Sequence, residues 1–508
     1  MMGTSHMTTT TVSLSFPRKR ESRATVPAPA PASSAGQALD PRFRGGDRKR
    51  EAAKSDRPRS LLLTAIAAVI ALVIAFAPPA ARAAMNVQEV TSLGGIKAWL
   101  IEDHSMPLIA VSVGFHGGSA LDPQGKEGLA QFVSATLDEG AGGIPSRDFQ
   151  QQLNDLSIDF RFNAGIDEFT ATMRTLSETR DQAFDLLRLA LTAPRFDPEP
   201  VERVRGQLLA VLADDSGEPG SIADRVWWHT AFPDHPYGRQ TAGTAAGLKG
   251  ITADDLRGFV KSRFARDNLI VGVVGDISAQ DLQPLLDRTF GALPPTAGPI
   301  AVDDSKPAAA GAVIVVDRAV PQSVVLFGGN GIKRHDPDFY PAYVLNYILG
   351  GGGFSSRLTR EVREKRGLAY SVDTDLVTLD HAAVVQGSLG TKNTSVAEVM
   401  GLIKQEWKRM REEGPTDDEL AGAKLFLTGS YALRFSSTLS IANALVGVQL
   451  EDFPPDYFAK RNGYIEAVTL EDVKRVAKRL LDPDALTFVI VGEPDGVTGT
   501  QAAPEGLF

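Results

Sequence analysis

The chain repeats itself. Asp103-x-x-x-Pro107 recurs as Asp317-x-x-x-Pro321, Gly114 as Gly328, Gly117 as Gly331, and Asp122-Pro123 as Asp336-Pro337, every pair 214 residues apart. Farther along, Ile251-Thr-x-Asp-Asp-Leu256 recurs as Val468-Thr-x-Glu-Asp-Val473 and Val274-Gly275 as Val491-Gly492, now 217 apart. An offset held over so long a stretch, with a slip of three, requires a tandem duplication of a domain of about 200 residues. Whatever one copy folds into, the other must fold into as well.

Each copy opens with alternating apolar strands, Lys97–Ile101 and Leu108–Phe115 in the first, Ala312–Val316 and Ser323–Gly328 in the second. A helix follows (Gly128–Leu137 or Phe339–Leu349), then long amphipathic helices such as Arg180–Leu191 and Val396–Glu413. Thr252 with Asp255, and Thr469 with Asp472, stand at capping-box spacing and start the last helix of each copy. The strands Asn268–Val274 and Ala485–Val491 close the units. Runs of strands and runs of helices are segregated. The expected fold class is therefore α+β, with a mixed, largely antiparallel sheet in each copy covered by helices on one face. The expected boundaries are a leader over 1–83, a first domain over 84–295, a linker over 296–310, a second domain over 311–495 and a tail over 496–508.

The leader stands apart in charge. The net charge of −9 over 508 residues conceals +8 in 1–83 and −17 in 84–508. Basic residues from Arg48 to Arg59 precede the apolar run Leu61–Ala77, then Pro78-Pro79 and Ala81-Arg82-Ala83. Such an order reads as a secretory signal peptide at about 57–83, with cleavage near Ala83 and a periplasmic, Gram-negative destination. An uncleaved segment would instead tether the protein to the membrane. Farther upstream, Ser15–Arg23 and Leu39–Asp47 resemble translated intergenic repeat elements of Gram-negative genomes, which would place the true start downstream; the alternative is a genuine disordered basic extension. The acidic mature chain argues against nucleic acid as a partner. The absence of cysteine excludes disulfides, thiol nucleophiles and cysteine-bound metals.

Four stretches carry a resemblance: Gly118-Ser-Ala-Leu-Asp-Pro-Gln-Gly-Lys-Glu-Gly-Leu-Ala130, Ala231-Phe-Pro-Asp-His-Pro-Tyr-Gly238, Gly351-Gly-Gly-Phe-Ser-Ser-Arg-Leu358 and Glu361-Val-Arg-Glu-Lys-Arg-Gly-Leu-Ala-Tyr370. With the duplication, they resemble the insulinase/pitrilysin family of zinc peptidases. Active members carry His-x-x-Glu-His directly after Gly-Leu-Ala. Histidines at i and i+4 share one helix face and ligate zinc, and the glutamate takes a proton from zinc-bound water. Here the helix reads Gln131-Phe-Val-Ser-Ala135. Gln131 and Ala135 replace the histidines, Ser134 the base, and Gln207 the downstream glutamate ligand. No two of the seven histidines stand at i,i+4 spacing. No metal site and no cofactor are expected in this chain.

The second copy keeps Arg363 and Tyr370, seven residues apart across an expected helix-to-strand corner. That helix would be capped by Ser355 or Ser356 and stopped by Gly367. Taken by themselves, Arg363 could pair with Glu361 or Glu364, and Tyr370 could be a core residue. The resemblance implies instead that both donate hydrogen bonds to a substrate carbonyl at a zinc site. It implies a non-catalytic subunit of a heterodimeric zinc endopeptidase. The zinc would sit in a partner bearing His-x-x-Glu-His, and the substrate would be an unfolded peptide laid along a sheet edge. The rival reading is an inactive peptide-binding or structural homologue with no share in proteolysis.

Overall fold

A computed structural model describes residues 86–308 and 310–507; the expected signal segment and the repeat-like stretches lie outside them. In the first copy β1 (Gln88–Thr91), β2 (Lys97–Glu102), β3 (Leu108–His116), β6 (Asp159–Ala164), β7 (Glu168–Leu176) and β8 (Leu269–Gly275) form one sheet in the order β1-β2-β8-β3-β7-β6. The short β4 (Gly140–Ala141) and β5 (Ile144–Pro145) make a separate hairpin. In the second copy β9 (Val313–Val316), β10 (Gln322–Asn330), β11 (Ala369–Thr378), β12 (Ala383–Lys392) and β13 (Thr487–Val491) take the order β11-β12-β10-β13-β9. Set β9 on β2, β13 on β8, β10 on β3, β12 on β7 and β11 on β6, and the two orders coincide. The registers coincide too. Gly114 faces Ile270 in the first sheet, and Gly328 faces Thr487 in the second. One pair in each sheet is parallel, β2 with β8 and β9 with β13, and the rest are antiparallel.

One face of each sheet meets the helices of its own copy. In the second, Phe327 packs edge-on to Trp407 of the Val396–Glu413 helix, with ring centroids 5.7 Å apart. In the first, Phe115 stacks on Phe264 at 4.7 Å, just past the Ala253–Arg263 helix. The capping boxes expected at Thr252 and Thr469 are both formed.

The opposite faces are covered by an exchange. The Thr438–Leu450 helix of the second copy lays Ala442 and Leu445 on Ala110, Val274 and Trp99 of the first sheet. The Pro219–Ala231 helix of the first copy lays Ile222, Val226 and Trp227 on Ile314, Leu326, Val384 and Val489 of the second. Glycines make room for both. A Cβ on Gly114 would lie 2.9 Å from Val446, and one on Gly272 2.8 Å from the Ala442 carbonyl. A Cβ on Gly328 would lie 2.7 Å from the Trp227 ring and collide with the Val385 carbonyl. The repeated Gly114/Gly328 pair thus marks where each sheet admits the other copy's helix. Beyond Leu450 the chain is anchored by Arg334. Its guanidinium pairs with Glu451 at 2.6 Å and lies 4.2 and 4.5 Å from the rings of Phe339 and Phe453.

A polar junction joins the copies as well. The buried Tyr237 donates its OH to Asp167 (2.7 Å) and accepts the His381 N–H (3.0 Å), while the Asp380 N–H donates to Asp167 (3.0 Å). Asp380 and His381 form the tip of the β11–β12 hairpin. Burial, with the charges of Asp167 and Asp380 beside it, pushes Glu168 up to about 7. The Asp380 carboxylate, 3.9 Å away, raises His116.

Two outcomes follow. Gly328→Ala should lower unfolding free energy in urea by about 1–3 kcal/mol. Gly329→Ala, whose Cβ would find no neighbour nearer than 3.8 Å, should cost under about 1 kcal/mol. The second concerns pH. A carboxyl that binds its proton more tightly folded than unfolded loses stability as pH rises from its unfolded value towards its folded one. His116, raised in the fold, also gives up its contribution as pH rises through its folded value. Stability should therefore decline between about pH 5 and pH 8, and Glu168→Gln should flatten the decline by about 2 kcal/mol in denaturation at the two pH values.

Candidate functional site

The helix in the metal-site position is short. It spans Leu129–Ser134, against the expected Gly128–Leu137, and ends because Ala135 closes its last turn and Thr136 turns its hydroxyl back to the Phe132 carbonyl (2.7 Å). Gln131, Ser134 and Ala135 lie together on it. Ser134 is buried and donates to the Gln131 carbonyl at 2.8 Å, so its hydroxyl serves its own backbone. Gln207 lies on the neighbouring Pro198–Asp215 helix, half-buried beside the apolar stripe Val201, Val204 and Leu208. Arg205 of that helix lays its guanidinium 4.9 Å from the Phe132 ring and donates to the Leu248 carbonyl. Its guanidinium also pairs with Glu202 at 3.2 Å, which ties it to its own helix. The helix is held from its front end by Asp122, whose carboxylate accepts the Gly128 (2.8 Å) and Ala130 (3.0 Å) N–H groups and which burial pushes up to about 7.

Among the described residues, no three His, Cys, Asp or Glu side chains come together as a group able to hold a metal. Three of the histidines are otherwise engaged. His104 pairs with Asp276 (2.7 Å), His235 bonds the Asp303 carbonyl (2.8 Å) and His381 pairs with Asp304 (3.3 Å).

The second copy presents different chemistry. Ser356 caps the segment that carries Arg363, its Oγ accepting the Thr359 N–H at 3.3 Å. Expected as a regular helix to about Arg366, this segment instead widens into π turns over Thr359–Glu364. Such widenings often occur at functional positions. Gly367 at φ +63° turns the chain out, and the Gly367 and Leu368 N–H groups close the corner on the Arg363 and Val362 carbonyls at 2.9 Å each. The segment is pinned by buried Arg357, which forks onto Glu419 at 2.8 and 2.6 Å. Burial works against charge on Glu419, but the Arg357 bonds and the Thr416 N–H outweigh it and hold the carboxyl at about 2.

Arg363 and Tyr370 are brought together, with the guanidinium 4.8 Å from the phenol ring. Neither bland alternative for them is realised. Glu361 pairs with Lys365 (2.6 Å) and Arg366 (2.8 Å), leaving Arg363 without a carboxylate partner among the described residues. Tyr370 is 84% exposed, because the β11–β12 register shifts between Ala369 and Val372 and the bulge turns its ring outward. Two residues went unread in the sequence. Phe354, 66% exposed, places its ring 4.5 Å from the Arg363 guanidinium on the end of the glycine stretch. Tyr237 lies inside a quoted motif, yet its role in joining the copies was not legible there.

The metal helix and the arginine–tyrosine pair belong to different sheets. Together they define a class: a duplicated fold whose first copy lacks His-x-x-Glu-His and whose second brings an arginine and an exposed tyrosine together. The insulinase (peptidase family M16) profile matches residues 97–245, and that of the peptidase M16 inactive domain matches residues 250–427. A protein from Helicobacter pylori described as a non-peptidase homolog is 27% identical over 394 residues, covering 77% of this chain and 90% of its own. An uncharacterized zinc protease of Streptomyces coelicolor is 27% identical over 405 residues, covering 78% of this chain and 87% of its own. The crystal structure of a peptidase M16 inactive domain from Pseudomonas fluorescens superposes with a TM-score of 0.75 at 27% identity, covering 82% of this chain and all of that one. The chain belongs to the insulinase family, as an inactive-type member.

Because Tyr370 is exposed and the half-buried Arg363 rests on exposed rings and not in the core, Arg363→Ala and Tyr370→Phe should each change folding stability by less than about 1 kcal/mol. Thermal unfolding of the purified variants checks this, and a larger loss would mark the pair as structural.

Proposed function

We propose that this chain is the exported, non-catalytic subunit of a heterodimeric zinc endopeptidase, supplying Arg363 and Tyr370 to a peptide held at its partner's zinc. One observation carries the reading: the helix that would bind metal has neither ligand nor base, while the half-buried Arg363 has no carboxylate partner among the described residues and lies over the ring of an exposed tyrosine. A guanidinium and a phenol are donors of the kind that stabilise charge developing on a carbonyl oxygen. The non-peptidase description of the Helicobacter pylori relative supports the first half of the proposal. The partner would be a family chain with intact His-x-x-Glu-His, and zinc would belong to that chain alone.

β11 lies at the edge of its sheet with no further strand beside it among the described residues, although its Val372 and Thr374 carbonyls already accept from the Thr359 (3.2 Å) and Asn346 (2.9 Å) side chains. An unfolded peptide could add along the remaining groups as a further strand. Burial raises the Asp373 carboxyl to about 6 and raises Asp375 as well, so a peptide with basic side chains would favour their charged forms. Export to the periplasm rests on the leader, and retention at the membrane would depend on an uncleaved signal. No helix of the described residues is long and apolar enough to cross a membrane.

The test is co-expression with a family chain carrying His-x-x-Glu-His, using unfolded casein as substrate. Cleavage should need both chains, and Arg363→Ala or Tyr370→Phe here should lower kcat/KM by about 100-fold or more. Metal analysis of this chain alone should find well under one zinc per molecule. Full activity of the partner by itself would overturn the shared site and favour a purely peptide-binding or structural homologue.

A further inference from the structure

The glycine stretch that ends at Phe354 has so far been given no task. Gly353 adopts φ +54° and a tight turn over Gly353–Ser355 follows. The Ser355 hydroxyl donates to the Gly352 carbonyl at 2.8 Å and lies 3.2 Å from the Tyr347 hydroxyl. Tyr347 in turn stacks on Phe426 of the Asp417–Gly429 helix, with ring centroids 5.2 Å apart. The turn is therefore braced from below while the Phe354 side chain stays largely in solvent. An apolar ring left this exposed gains little from burial, so core packing does not explain its place.

What the ring touches is Arg363. Its centroid lies 4.5 Å from the guanidinium carbon, and the Tyr370 centroid lies 4.8 Å from the same atom. An unaided arginine on a surface loses rotamer freedom when it binds a ligand, and that loss weakens every hydrogen bond it makes. A guanidinium held by stacked rings keeps its in-plane N–H edges free while its orientation is fixed beforehand.

Building on the proposed role of Arg363, we infer that Phe354 is its positioning residue: together with Tyr370 it holds the guanidinium by ring contact, so that its donors are aimed before a peptide arrives. Phe354 acts through Arg363 and does not itself need to touch the peptide. Its partner in the contact comes from a loop before the arginine, Tyr370 from a strand after it, so the two rings converge from separate elements.

The experiment has two arms. In the first, the full chain is labelled with ¹⁵N-arginine, and the Arg363 Nε–Hε order parameter and ring-current shift are read by NMR without any partner. Phe354→Leu, which keeps bulk but removes the ring, should lower the order parameter and abolish the shift; Phe354→Tyr should preserve both, with thermal midpoints unchanged. An Arg363 signal indifferent to Phe354→Leu overturns the inference. In the second arm, fluorescein-labelled unfolded casein is titrated onto the complex with a zinc-bearing family chain. Phe354→Leu should weaken binding about 3- to 10-fold with Arg363 present and have no effect in an Arg363→Ala background. Equal losses in both backgrounds would show that Phe354 contacts the peptide directly and would also overturn the positioning role. Should Arg363→Ala leave casein binding and cleavage untouched, the shared-site function fails, while the NMR arm still decides whether Phe354 holds the guanidinium.

Discussion

The structure depends on a reciprocal exchange. Each sheet has two apolar faces and enough helices of its own to cover one of them. The other is covered by a single helix from the opposite copy, Thr438–Leu450 on the first sheet and Pro219–Ala231 on the second. Neither sheet can keep its outer face dry without the other copy. Contact at backbone range is what makes this possible, and it is why glycine stands at position 114 and again at 328. A duplicated domain that exchanges helices in this way is one folding unit as far as its cores are concerned.

The arrangement fixes the candidate site from both ends. At its tip, the β11–β12 hairpin is tied to the first copy through Asp167, Tyr237 and His381. Near its base, the segment preceding β11 is locked to the Asp417–Gly429 helix by Arg357 and Glu419. Between these anchors the Val372 and Thr374 carbonyls are tied to Thr359 and Asn346, and a bulge turns Tyr370 out towards Arg363. The opposite has happened at the degenerate metal helix. Its polar groups are consumed locally, by Ser134 on its own helix and by Asp122 at the helix start, and Arg205 lies across it. The first copy keeps the family fold without His-x-x-Glu-His, and on the proposed reading the arginine and tyrosine of the second serve a reaction centre in another chain.

Much of this was legible in the sequence because it is written in local pattern or in repetition. Strand alternation and the constant offset marked three strands in each sheet, β2, β3 and β8 in the first and β9, β10 and β13 in the second, and the Thr252 and Thr469 capping boxes marked the helix before each closing strand; β1, β6, β7, β11, β12 and the strand order were not read. The loss of His-x-x-Glu-His could be read directly at Gln131, Ser134 and Ala135. The exchange could not be read. The Thr438–Leu450 helix is almost wholly apolar, so it signals burial without naming the surface that buries it. The π turns at Thr359–Glu364 and the bulge at Tyr370 arise from tertiary hydrogen bonds with no residue-type signature. Phe354 stood in plain view after four glycines, yet its contact with Arg363 depends on a φ of +54° at Gly353 and a brace from Tyr347, neither of which is a sequence pattern.

The central claim is that Arg363 and Tyr370 complete a reaction centre whose metal lies in another chain. The most direct measurement is a structure of the co-expressed pair with a peptide trapped at the zinc. The account predicts the Arg363 guanidinium and the Tyr370 hydroxyl at about 3 Å from the peptide carbonyl oxygen next to the metal. A peptide held by the zinc-bearing chain alone, with Arg363 and Tyr370 facing solvent, would contradict it.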